Sequence, residues 1–137
     1  MAKHFKALKP KSGKVTNIEL PPNYDLMPPI FSLEKVVPSV YCFSALNKEH
    51  KLAFAESIFK RRTLTWRELK SLDKHGLGYE KIARGSIRTG IPATIATDLE
   101  NFLAFRYHTK SPMVGYRDKQ VFYILWFDHD FSVYNHG

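Results

Sequence analysis

The chain has one cysteine, Cys42. A single thiol excludes an intrachain disulfide and suits a reducing cytosol, so a cytoplasmic protein is expected. Cys42 lies in the apolar run V-Y-C-F and reads as a small core residue rather than a nucleophile. No apolar run approaches the ~20 residues a membrane helix needs, so no membrane partner is expected. The N-terminus carries lysines without the apolar stretch of a secretory signal. P-loop, H-E-x-x-H and C-x-x-C patterns are missing, as are internal repeats and heptads. Acids are also scarce: 13 Asp and Glu face 21 Lys and Arg, a formal charge of +8. Such a balance favours polyanions such as nucleic acid, or an acidic protein partner.

What is present is a core. The 137 residues are 44% apolar and 14% aromatic, which suits one domain of ordinary size. Residues 1–39 read as a basic tail followed by a proline-rich extended segment. Lys3, Lys6, Lys9, Lys11 and Lys14 mark the tail. Pro21, Pro22, Pro28, Pro29 and Pro38 forbid a helix, with Ile30, Phe31 and Leu33 as anchors for the segment. Residues 40–137 read as a single α+β domain.

Val40 to Leu46 has the β-formers of a first strand. A helix follows from an Asn47 cap, with Leu52, Ala55, Ile58 and Phe59 on one face and Lys60, Arg61 and Arg62 at its end. Thr65 and Glu68 form a capping box for a second helix, which buries Trp66, Leu69 and Leu72 and ends at Gly76. Gly78, Gly85, Gly90 and Pro92 break up the next stretch, and Lys81 to Arg88 reads as a basic surface loop. Phe102 to His108, Met113 to Arg117 and Gln120 to Phe127 then alternate as strands. Their turns fall at Lys110 to Pro112 and at Asp118-Lys119, and Phe131 to Tyr134 adds a short last strand. Gly115 marks a bulge or a close approach. The run Val121 to Phe127 is apolar throughout, which indicates a strand covered on both faces. The expected fold is therefore α+β: an N-terminal strand, a helical hairpin, then an antiparallel meander of three to four strands packed on the helices.

Polar residues collect at the rim of that sheet. Arg106 and Arg117 are its basic residues and suit bidentate grip on a phosphate. Asp128, His129 and Asp130 suggest a metal, but strand alternation sends His129 to the side opposite the two aspartates, so none is expected. The aspartates instead suit a turn, capping backbone N–H groups. Tyr134 and His136 offer a hydrogen-bond donor and an acid or base.

The element order, the small basic chain and the segments F-R-Y, V-G-Y-R and V-F-Y-I-L-W-F resemble the RelE/ParE-like toxins of bacterial type II toxin–antitoxin systems, over residues 40 to 136. The resemblance implies a ribosome-dependent endoribonuclease that cuts mRNA by 2′-hydroxyl attack and arrests translation. It implies no cofactor and no metal, and an acidic antitoxin as partner. By position, the catalytic roles fall on Arg106, Arg117, Tyr134 and His136, with His129 as a substitute. RNA-binding roles fall on Lys60, Arg61 and Arg62, with Arg84 and Arg88. The alternative it carries is a non-enzymatic toxin or binding module of the same fold, such as a gyrase inhibitor.

Overall fold

The sheet is built around two neighbouring strands, β4 (Ser111–Asp118) and β5 (Val121–Phe127). In the computed structural model, which describes residues 20–136, five strands run in the order β1-β5-β4-β3-β2. The others are β1 (Ile30–Ser32), β2 (Tyr79–Ala83) and β3 (Asn101–His108). β2 to β5 pair antiparallel, and β1 adds to β5 in parallel, so the sheet is mixed. Two helices, α1 (Lys48–Arg61) and α2 (Trp66–Ser71), lie on one face. None is long and apolar enough to cross a membrane among the described residues.

The sheet is buried on both faces. Phe105, Met113, Phe122, Ile124 and Phe127 meet the helices through Leu46, Trp66 and Leu69. Phe102, Ala104, Val114, Leu125 and Trp126 face the other way, under Ile95, Val133 and Tyr134 from the loops. That is why β5 is apolar at every position. A bulge helps: Val114 opposes Trp126 while Gly115 opposes Ile124, leaving Leu125 as the extra residue. Gly115 is the condition for this packing, because a Cβ there would sit 1.9 Å from the Tyr123 carbonyl oxygen.

Several expectations need correction. Val40 to Leu46 is not a strand. Ser39 folds back to cap the Tyr41 N–H, and Phe43–Ala45 forms a 3-10 turn, with Tyr41 and Phe43 plugging opposite faces of the sheet. The N-terminal strand comes earlier, where Phe31 enters the core between Phe105 and Phe122 while Ile30 and Leu33 stay exposed. The lysine tail lies outside the described residues. The segment read as a loop begins with β2, whose alternation sends Tyr79 towards the helices and Ile82 away. Its glycines bracket the strand instead of breaking it, and Gly78 admits the Leu72 carbonyl, which a Cβ would meet at 2.2 Å. The turns sit at Thr109-Lys110 and Lys119-Gln120, with Thr109 and Lys119 at positive φ as mirror-image hairpin turns require. Tyr134 makes only an isolated bridge to Ile87.

The caps of both helices are as expected. Asn47 accepts from the His50 N–H, and Thr65 with Glu68 closes a reciprocal capping box. The faces differ. α1 turns Phe54, Ser57, Ile58 and Arg61 inward and leaves Leu52 and Phe59 exposed. α2 stops at Ser71, well before Gly76, and Leu72 is partly exposed.

Candidate active site

Strand alternation decides which polar groups can meet. In β3, Phe105 and Tyr107 point towards the helices, so Arg106 points to the opposite face. Glu80 on β2 opposes Ala104 and shares that face. Arg106 Nη1 donates to Glu80 Oε1 at 2.6 Å, with the arginine side chain only 9% exposed. Lys74 Nζ reaches Glu80 Oε2 at 3.3 Å, and the Tyr134 hydroxyl donates to Oε1 at 3.3 Å. Three donors thus converge on one carboxylate. The Arg106 Nε, fully buried, donates to no group among the described residues.

Tyr134 and His136 arrive because the chain doubles back after β5. Asp128 is completely buried, and its Oδ1 accepts from the Ser132 N–H at 2.7 Å. Phe131 takes φ 59°, and the chain returns over the sheet to bridge Ile87 at Tyr134. The His136 ring then stacks on Tyr134 with centroids 3.9 Å apart. His136 Nε2 lies 2.8 Å from Asp128 Oδ2. A carboxylate has only lone pairs to offer, so Nε2 is the nitrogen that donates to it, and Nδ1 is the ring nitrogen left to face other groups. This is an oriented histidine of the kind that accepts a proton.

These groups line a cleft of about 340 Å³ with Lys74, His75 and Lys81. Burial pushes the Tyr134 phenol well above its ordinary range, outweighing the nearby Arg106, so it holds its proton and acts as a donor. Burial also works to raise the Glu80 carboxyl. The hydrogen bond and charge of Arg106, with Lys74, outweigh it and hold Glu80 below the usual carboxylate value.

Three of the expected rim residues, Arg106, Tyr134 and His136, are thus brought together. Arg117 is not with them. It lies on the helical face, 4.3 Å over the Trp66 ring, with its Nη2 2.8 Å from Asp25 Oδ1. His129 turns away, its Nε2 3.0 Å from the Val40 carbonyl oxygen.

The residues expected to grip RNA scatter as well. Arg61 is buried and bonded to four carbonyl oxygens, so it is a structural strut rather than a surface contact. Arg62 stacks on Phe59 and caps its carbonyl, and Arg84 holds the carbonyls of Ala96 and Leu99. Lys60 and Arg88 are exposed. Glu80 was missed because β2 read as a loop, and Lys74 because it read as a basic residue at the end of a helix that in fact stops at Ser71. The alternation Tyr79-Glu80-Lys81-Ile82 was the available signal. Against known proteins, no family model matches the chain, and no curated protein and no solved structure matches it.

Proposed function

We propose that the cleft is a metal-independent RNA-cleaving site and that the chain is a RelE/ParE-like toxin. The observation that carries this is the convergence of Arg106, Tyr134 and the Asp128-held His136 in one polar cleft. Cleavage needs a base for the 2′-hydroxyl, cations for the phosphorane and a proton for the leaving oxygen. His136 Nδ1 takes the 2′-hydroxyl proton, and the 2′-oxygen attacks the adjacent phosphorus. Arg106 and Lys74 turn from Glu80 to the phosphate oxygens, and Tyr134 donates to one of them. The 5′-oxygen leaves with a proton from His75, and a 2′,3′-cyclic phosphate remains. The substrate is mRNA, taken up in the ribosome's decoding site, and an acidic antitoxin neutralises the basic chain. The test is induced expression with end-mapping of cellular mRNA. Arg106→Ala and His136→Ala relieve growth arrest while the purified proteins still unfold cooperatively, at melting temperatures lowered by the lost bonds to Glu80 and Asp128. Arrest that persists in both variants, or no arrest from the wild-type chain, removes this reading.

A second reading has its own support. Glu80 already neutralises Arg106 and Lys74, as in a settled structural network. A non-enzymatic module of this kind, such as a gyrase inhibitor, would leave mRNA intact and block supercoiling instead.

A further inference from the structure

The helical face carries a second groove that the catalytic reading does not use. It measures about 340 Å³ and lies between α2 and strands β2, β3 and β4. Arg67, Lys70, Lys81 and Arg117 line it against a single carboxylate, Asp25. Among the described residues Arg67, Lys70 and Lys81 make no salt bridge. Arg117 is held rigidly: its Nε donates to the Lys119 carbonyl at 2.7 Å, its Nη2 meets Asp25, and its plane lies over Trp66. Asp25 itself is half exposed, on a 3-10 turn outside the sheet. A carboxylate at that place occupies a ready-made oxyanion position on a planar guanidinium.

The two grooves share one lining residue at the sheet edge. β2 is the edge strand, and its alternation gives one groove Tyr79 and the other Glu80. Lys81 lines both. A track of cations therefore passes from Arg117 on one face, over the sheet edge at Lys81, to Arg106 on the other. A flexible polyanion follows a path round a sheet edge more cheaply than a duplex, whose persistence length is ~150 base pairs and whose bending costs energy.

We infer that this groove binds the phosphate backbone of single-stranded RNA flanking the segment in the cleft, and that Asp25 competes with it for Arg117. This rests on the reading of the chain as an RNA-acting protein, and it adds a binding track distinct from the cleavage site. Phosphate contacts make the affinity salt-dependent, with a slope of ~0.7 per phosphate for single strands.

The test measures binding of a labelled single-stranded RNA 12-mer to the full chain by anisotropy across a salt series. Arg67→Ala with Lys70→Ala weakens binding about tenfold and lowers the salt slope by about 1.4, two contacts at ~0.7 each. Asp25→Asn tightens binding several-fold, a gain that misfolding cannot mimic. Growth arrest and mRNA ends are scored separately on the same variants, so loss of cleavage and loss of the track are read apart. A duplex of the same sequence binds more weakly than the single strand. If the double variant binds as the wild type does, or Asp25→Asn weakens binding, the track is wrong even where cleavage is seen. If the 12-mer fails to bind while an acidic peptide does, the ligand class is wrong.

Discussion

Arg61 gives the sharpest test, because sequence and structure assign it opposite roles. It closes α1 and is 1% exposed, and among the described residues its hydrogen-bond partners include no carboxylate. Its Nε donates to the Leu77 carbonyl at 2.8 Å and its Nη2 to that of Arg106 at 3.0 Å. Two further bonds, to the carbonyls of Ser57 and Gly76, are longer at 3.3 Å each. The guanidinium thus ties α1 and the turn before β2 to the backbone of β3 beside the cleft. Burial lowers its pKa from 12.5 to about 10, so it is still charged at neutral pH. Replacing it with methionine keeps an apolar side chain of similar length, loses the guanidinium 5.0 Å over the Phe105 ring and removes every donor. Leaving a buried acceptor unsatisfied costs ~1–3 kcal/mol, and the two short bonds set the scale. Arg61→Met should therefore cost about 3 kcal/mol, a fall of roughly 10 °C in Tm for a domain of this size. Lysine can reach one carbonyl but not the set, so Arg61→Lys should recover less than half of that loss. Calorimetry at pH 7 supplies the numbers, and RNA anisotropy well below the transition supplies the second readout. Should Arg61→Met melt within ~2 °C of the wild type and yet lose RNA binding, the strut assignment is wrong.

Gly115→Ala drives a Cβ into the Tyr123 backbone and should cost ~3 kcal/mol or more, measured by denaturant unfolding. Thr65→Ala opens the capping box and should cost ~1 kcal/mol by the same assay. Glu80→Gln breaks the charged bonds to Arg106 and Lys74 and should cost about 1–3 kcal/mol at pH 7. The folded Glu80 carboxyl lies below its ordinary 4.5, so its contribution is whole above that value and is lost as pH falls through the lowered one; wild-type and variant melting temperatures should converge there. His50 is held below its ordinary 6.5 by burial and by the neighbouring His108. The unfolded chain then binds the proton first, so stability should fall as pH drops below 6.5, and less so in His50→Gln.

Local signals proved legible where the chemistry is local. Asn47 and the Thr65–Glu68 box mark helix starts because a short side chain meets N–H groups within three residues. The helix faces were harder. Leu52 and Phe59 satisfy helical spacing, yet α1 turns His50, Phe54 and Arg61 to the sheet instead, because Tyr107, Phe127 and the carbonyl of Leu77 offer partners there. The register of β1 was not legible at all. A parallel strand reached from a proline-rich segment pairs with β5 across the whole chain, and no periodicity in three residues announces it.

The site followed the same rule. Arg106 opposes Pro112, and directly paired residues share a face. Pro112 and Arg117 lie an odd number of positions apart in β4, so period two alone sends Arg117 to the helices. Register, once known, would have parted the two arginines without coordinates. The meeting of His136 with Asp128 needed more, since it depends on Phe131 at positive φ and on Ser132 closing onto Asp128 Oδ1. A bulky residue in that conformation is held there by its surroundings. The same turn buries Asp128, and a buried carboxylate with a histidine against it is a costlier arrangement than a surface turn requires. That cost is the strongest physical reason to read the C-terminal return as a device for orienting His136 rather than as a simple end to the sheet.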